Sequence, residues 1–258
     1  MQTRPFIAFD LEIAKEIPEG KISDWHLGIT CAATFDSKSR VWFPKPDVGD
    51  RVPYPACMSV RECCTLLQYL VEQNAAGYDI VTWNGMGFDF RVLAAECQLD
   101  LIDWDNLVDL AWGHIDIAFN MLCDRGFMVG LNKAAKGMGL SGKKEGMSGA
   151  LAPAMWQEGR IAQEKVLEYV AQDAQATAGL YQAIIAARSM TWITMKGVQS
   201  SRPWEPAIIT DLGGQRLMTV AEANRLRKPN TSWMDSPRKR SEFISWASTK
   251  ALEKHQTE

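Results

Sequence analysis

The stretch Phe6-Ile-Ala-Phe-Asp-Leu-Glu-Ile13 decides how the chain is read. It is an apolar strand that carries two carboxylates, Asp10 and Glu12. Residues two apart in a strand project to the same side of the sheet. Asp10 and Glu12 therefore stand together, while Phe9, Leu11 and Ile13 face the other way. Two like charges side by side on a buried strand repel each other and lose hydration. A divalent cation removes both costs, so the question for the rest of the chain is which other groups reach that cation.

Working outward, residues 25–34 read as a second strand and Val41-Trp42-Phe43 as a short third one, stopped by Pro44 and Pro46. The three form an antiparallel meander, and a Pro-rich loop follows from Pro44 to Pro55. Ser59 with Glu62 fits a capping box, and Leu66, Leu67, Leu70 and Val71 give the helix that follows an apolar face. Gly77 ends it. Asp79-Ile-Val-Thr-Trp83 is a buried strand that runs into the turn Asn84-Gly-Met-Gly-Phe-Asp89 and then a helix through Phe90, Val92, Leu93 and Cys97. Strand, helix, strand implies a parallel pairing through a right-handed crossover. His114 to Ile117 is a last short strand, followed by a helix that stops near Gly126. Leu131 to Met138 is a short helix, and the glycine- and lysine-rich stretch from Gly139 to Gly149 reads as mobile. Arg160 to Arg188 is the longest helix signal. Thr191 to Met195 reads as a strand, Pro203 and Pro206 break the pattern, and from about Thr219 the chain is polar and basic, with an amphipathic segment near Phe243–Leu252.

Three further residues stand out beside the acidic pair. Asp89 sits where the C-terminal end of a strand turns into a helix, the place where parallel sheets expose functional groups. Tyr169 and Asp173 are four apart in the long helix and share one face. Each signal alone has an ordinary explanation. Asp89 and Asn84 are turn formers, Asp89 also suits a helix cap, and a core tyrosine with a surface aspartate accounts for Tyr-x-x-x-Asp. Their order along the chain is what is specific.

In that order the sequence resembles the ribonuclease H-like (DnaQ-like) 3′–5′ exonucleases with four acids, the DEDD group. Phe9-Asp-Leu-Glu12 is similar to the first motif, Thr82-Trp-Asn-Gly-Met-Gly-Phe-Asp89 to the second and Tyr169-Val-Ala-Gln-Asp173 to the third. The Tyr-x-x-x-Asp spacing is that of the tyrosine variant, DEDDy. A histidine variant needs a histidine where Glu168 stands. The resemblance spans roughly residues 6–188. It implies an α/β fold, a ribonuclease H-like mixed five-stranded sheet flanked by helices, in a domain over residues 1–200 with a basic C-terminal extension over 201–258. It implies a metal-dependent 3′–5′ exonuclease acting on single-stranded nucleic acid, DNA favoured over RNA, that releases nucleoside 5′-monophosphates. Four carboxylates converging on one spot suit two hard cations, Mg2+ or Mn2+. By the same resemblance Asp10 bridges both ions, Glu12 and Asp173 hold the ion that carries the attacking water, and Asp89 anchors the second. Tyr169 orients the water, since a phenol with an ordinary pKa near 10 is a poor base at neutral pH. Leu11 and Ile13, through their backbone, and Asn84 and Phe88 are the expected substrate contacts. The rival readings are a ribonuclease H-type endonuclease and a nucleic-acid-binding module without catalysis.

Composition sets the remaining bounds. The chain has 258 residues, 47% of them hydrophobic and 23% charged, with a formal net charge of −3. That is ordinary for a globular protein, and it neither advertises nor excludes a nucleic-acid partner, because the charge that matters is local. No apolar run of membrane-spanning length and no secretory signal is visible, so no membrane partner is expected. Six cysteines without a C-x-x-C pair and three scattered histidines argue against a zinc site and for buried, reduced thiols in a cytoplasmic protein. Arg225, Arg227, Lys228, Arg238, Lys239 and Arg240 cluster in the extension. They, with Lys133, Lys136, Lys143 and Lys144, are candidates to track a phosphate backbone, and Trp204 and Trp233 are candidates to anchor the extension. A polymerase or a helicase supplied as a separate chain is a candidate partner.

Overall fold

A computed structural model describes residues 3–17, 24–45, 52–99, 101–141, 147–204 and 207–248. Strands β1 (Phe6–Ile13), β2 (Ile29–Phe35) and β3 (Ser39–Trp42) form the expected antiparallel meander. β4 (Asp79–Thr82) pairs parallel to β1, and β5 (Ile115–Asp116) parallel to β4. The result is a mixed five-stranded sheet in the order β3-β2-β1-β4-β5, with β1 at its centre. β2 begins at Ile29 rather than at Trp25, because Gly28 adopts a positive φ of 66° and breaks the extended run.

Helices cover both faces. α1 (Val60–Ala75) starts with the capping box, the Ser59 hydroxyl accepting from Glu62 N–H and the Glu62 carboxylate from Ser59 N–H. α2 (Asp89–Glu96) follows the turn after β4, and α3 (Leu101–Gly113) occupies a stretch for which no helix was expected. α4 (Ile117–Arg125) is capped by Asp116 and stops at Gly126, in the left-handed region at φ 83°. α5 (Leu131–Gly137) and α6 (Ala152–Gln157) lead to α7 (Arg160–Ala187), the 28-residue helix. Phe9, Leu11 and Ile13 pack with Leu66, Leu70 and Phe90 on one side of the sheet. Phe6 and Ala8 pack with Ala178, Leu180 and Tyr181 on the other. The alternation read from β1 is thus the division between the two halves of the core. No helix among the described residues is long and apolar enough to cross a membrane.

The single strand expected over Thr191–Met195 is one arm of a hairpin, β6 (Ser189–Ile193) with β7 (Gln199–Pro203). A second hairpin, β8 (Ile208–Asp211) with β9 (Gly214–Leu217), and the short helices α8 (Val220–Asn224) and α9 (Ser241–Ile244) complete the described chain. These segments pack onto the sheet domain. Ile208 and Leu217 join the core beside Tyr181, and Val220, Phe243 and Trp246 join the core beside Phe90. Trp204 anchors the extension as expected, buried beside Met190 and Trp192, whereas Trp233 stays outside the core. Arg240 is turned inward and donates to the backbone carbonyls of Asn224, Leu226 and Cys123 at 2.7–2.8 Å. It pins the segment and is not a free surface cation. Residues 46–51 of the Pro-rich loop, 142–146 of the glycine- and lysine-rich stretch (with Lys143 and Lys144) and 249–252 of the amphipathic segment lie outside the described residues.

Candidate metal centre and cleft

β1 is longer than its parallel neighbour. Their pairing runs Phe6↔Asp79, Ile7↔Ile80 and Ala8↔Val81, and β4 ends at Thr82. Among the described residues no strand lies against the β4 side of β1 beyond that point, and Asp10 and Glu12 lie there, on the α7 face of the sheet. The small side chains of Ala8, Ala33, Ala174 and Ala178, all buried, let the long helix lie close to the sheet. Tyr169 and Asp173, one turn apart, then reach the same spot.

The structure brings Asp10, Glu12 and Asp173 together, with one carboxylate oxygen of each within 4.8 Å of the others. Glu12 and Asp173 are buried. Three carboxylates this close, two of them cut off from water, are a hard-oxygen donor set that fits a divalent cation. The Tyr169 side chain hydrogen-bonds Asp173. Burial, then the charges of Asp173, Glu12 and Asp10, push its phenol far above the usual tyrosine range, so it is a neutral hydroxyl. Gly149 lies against Glu12, where an added Cβ would stand 3.7 Å from Oε2.

Asp89 stands next to this trio rather than within it. Its Oδ1 accepts from Leu11 N–H at 3.1 Å, so it takes up an amide on the part of β1 that has run past β4. Burial first, then the neighbouring charges of Asp116 and Asp173, raise its carboxyl to about 7. The turn before it is held from three directions. Asp116 accepts from Asn84 N–H at 2.9 Å, Met86 N–H at 3.0 Å and Phe119 N–H at 3.0 Å, although burial raises its carboxyl to about 6. Thr82 Oγ1 accepts from Gly85 N–H at 3.1 Å and bonds His114 Nε2 at 3.0 Å, on a ring that burial keeps neutral. From the C-terminal segment, the Trp246 indole N–H donates to Met86 C=O at 2.8 Å. Phe243 lies against Gly87, where a Cβ would come within 2.5 Å of Phe243 Cδ1.

A cleft of about 370 Å³ adjoins the trio. Asp10 and Asp173 line it, together with Trp83 and Asn84 and with Met128, Val129, Gly130 and Leu131. Asn84 sits at φ 71°, a left-handed conformation for which asparagine is enriched. Its buried Oδ1 has no hydrogen-bond partner among the described residues. Phe88 does not line the cleft. It is half-buried, its ring edge-on to Trp25 at 6.1 Å. Leu11 and Ile13 turn their side chains into the opposite core.

Sequence reasoning missed Asp116 and the Met128–Leu131 wall. An Asp three residues before Phe119, at the start of an apolar helix, is an N-cap signal that marks Asp116. No signal marks the wall, which is brought to the cleft by tertiary packing.

Residues 60–185 match the family model of the RNase H superfamily, a span that includes Asp89, Tyr169 and Asp173 and begins after β1. No curated protein matches the chain. Among solved structures, the chain is similar to the family B DNA polymerase from the hyperthermophilic archaeon Pyrobaculum calidifontis. The likeness is at 17% identity with a TM-score of 0.51, over 71% of this chain and 25% of that one. The chain thus spans about a quarter of the length of the polymerase it resembles. With the mixed sheet flanked by helices, these likenesses show a ribonuclease H-like fold.

Proposed function

We propose that the protein is a metal-dependent 3′–5′ exonuclease of the DEDDy type, which shortens single-stranded nucleic acid to nucleoside 5′-monophosphates. The observation that carries this reading is the meeting of Asp10, Glu12 and Asp173 beside a cleft, with the Tyr169 side chain bonded to Asp173. Asp10, Glu12 and Asp173 are the ligands for divalent cations, with Asp89 as the fourth acid. When bound, a pair of Mg2+ or Mn2+ ions supplies an activated water and neutralises the charge that builds on the phosphodiester.

The chain's own residues do the rest. Tyr169 keeps its proton and orients the attacking water by hydrogen bonding. Asp89 fixes the backbone of β1 at Leu11, so the carboxylates on either side of that residue are held in register. Asn84, which lines the cleft, is the contact for the sugar or base of the terminal nucleotide. Trp83 and the Met128–Leu131 wall offer apolar surface to a base irrespective of its identity. DNA is the favoured substrate, a choice supported by the similarity to a DNA polymerase. A polymerase or a helicase is the proposed partner. The six free cysteines support a reducing, cytoplasmic setting.

The test is digestion of a 5′-labelled single strand, as DNA and as RNA, with Mg2+, Mn2+ or EDTA, beside Asp10→Ala. The expected result is a metal-dependent ladder that shortens from the 3′ end and is absent in the variant. Internal cuts would replace this reading with an endonuclease, and binding without cleavage would replace it with a binding module.

A further inference from the structure

The basic C-terminal segment is not used by the chemistry proposed above, yet its side chains pack against Phe127, next to the cleft-lining Met128, and against Phe243. Residues 225–242 carry six Lys or Arg against two acids, within a chain whose net charge is −3. Arg240 is committed to backbone carbonyls, while Arg225, Arg227, Lys228, Arg238 and Lys239 are exposed. Positive charge at this density, set on a chain that is otherwise acidic, is complementary to a polyanion.

Trp233 stands in the same segment. It is 68% exposed, and among the described residues it is the only aromatic side chain more exposed than buried. It does not hang loose. Its indole N–H donates to Asn230 C=O at 3.2 Å, and its ring meets the edge of Phe127 at 6.1 Å and 80°. Phe127 precedes Met128, the first residue of the cleft wall. On the other side, the Arg238 guanidinium lies 5.6 Å from the centre of the Phe243 ring, which itself packs on Gly87 in the turn that carries Asn84. One short segment thus sets a fixed, open indole against Phe127, next to the cleft-lining Met128, and a cation over the ring that packs on the turn carrying Asn84.

We propose that Trp233, with Arg238 and Lys239, forms an outer subsite for the part of a single strand that lies upstream of the end held in the cleft, a base stacking on the indole and phosphates facing the two cations. Stacking on an indole tolerates any base, as an enzyme that removes nucleotides in succession requires. The proposal rests on the exonuclease reading, and its test separates the two.

The full chain is given a labelled trinucleotide as the short substrate and a strand of about 12 nucleotides as the one long enough to extend well past the cleft. Binding is followed by fluorescence anisotropy in EDTA, and hydrolysis with Mg2+. Trp233→Ala should weaken binding of the long strand about fivefold or more, the effect of losing one stacked base. It should leave trinucleotide hydrolysis at the wild-type rate, and Trp233→Phe should restore most of the long-strand affinity. Arg238→Ala with Lys239→Ala should flatten the dependence of log affinity on log salt by about 0.7 for each phosphate that is no longer neutralised. Unchanged long-strand binding by Trp233→Ala, or an equal loss on both substrates, overturns the outer subsite. Failure of the wild-type chain to hydrolyse the trinucleotide or the long strand overturns the exonuclease reading instead, and the binding comparison still decides the subsite.

Discussion

Trp246→Phe isolates what the C-terminal segment does for the turn that carries Asn84 and Asp89. Trp246 is buried, and its indole N–H is the donor to Met86 C=O at 2.8 Å. Phenylalanine keeps most of the ring packing but removes the donor, leaving a buried carbonyl unpaired at a cost of about 1–3 kcal/mol. The smaller ring leaves a void beside Trp104 and Met86 worth about 1 kcal/mol more. A loss of about 3 kcal/mol lowers the melting temperature of a chain of this size by about 6–12 °C. The functional cost is separate. The turn is one wall of the cleft and leads into Asp89, and a shift of about 1 Å at such a site costs up to about 100-fold in rate. Thermal melts followed by circular dichroism measure the first quantity. Single-turnover hydrolysis, run well below the lower melting temperature so that unfolded molecules do not contribute, measures the second. A variant that melts within about 1 °C of wild type and turns over at the same rate would show that the C-terminal segment does not hold the turn.

Asp173→Ala should abolish cleavage while leaving the metal-free protein as stable as wild type or more so, because one of three crowded carboxylates is gone. Saturating Mn2+, which at about 100 times its dissociation constant stabilises a site by about 2.7 kcal/mol, should raise the melting temperature of wild type and not of the variant. Tyr169→Phe should slow hydrolysis by about 100-fold, the cost of one positioned donor, with Mn2+ binding retained. If Tyr169 positions the water and does not take its proton, wild type and variant should share the same alkaline limb in a pH–rate profile, and a limb lost only in the variant would make Tyr169 a base. Glu222→Gln tests the lock on α8: hydrogen bonds from Arg216 at 2.6 and 2.9 Å lower the Glu222 carboxyl from 4.5 to about 2. A depressed carboxyl stabilises the fold above its unfolded value and loses that contribution as pH falls. Urea midpoints of wild type should therefore drop between about pH 4.5 and 2, and those of the variant should drop less over the same window.

The parts of the fold that sequence made legible are those where one local pattern decides. The alternation in β1, the Ser59–Glu62 capping box and the 28-residue α7 each appear where the pattern puts them. The acidic trio was legible because residue type, spacing and order together point to one chemistry. The rest depends on partners distant in the chain. The polar residues Gln199–Pro203 form a strand only because β6 pairs with them. Three acids among the apolar residues of α3 hide its helical period. The capping box of Thr219 and Glu222 was there to be read but lay within what looked like a uniformly polar tail. A charge count assigns Arg240 to the surface, and only the carbonyls it meets show that it points inward. Asp89 stands beside the trio, and its bond to Leu11 follows from β1 outrunning β4, a difference in strand length that no local motif encodes.

One consequence follows from the odd and even residues of β1 having separate duties. Phe9, Leu11 and Ile13 fill the core, and Asp10 and Glu12 carry the site. A slip of one residue against β2 would exchange the two sets, driving both carboxylates into the core and the apolar side chains under α7. Misregistered molecules are therefore inactive and unstable at once, and the two defects cannot be inherited separately. A loss of activity on storage or refolding that leaves the cooperative melt intact must therefore arise elsewhere than in the register of β1.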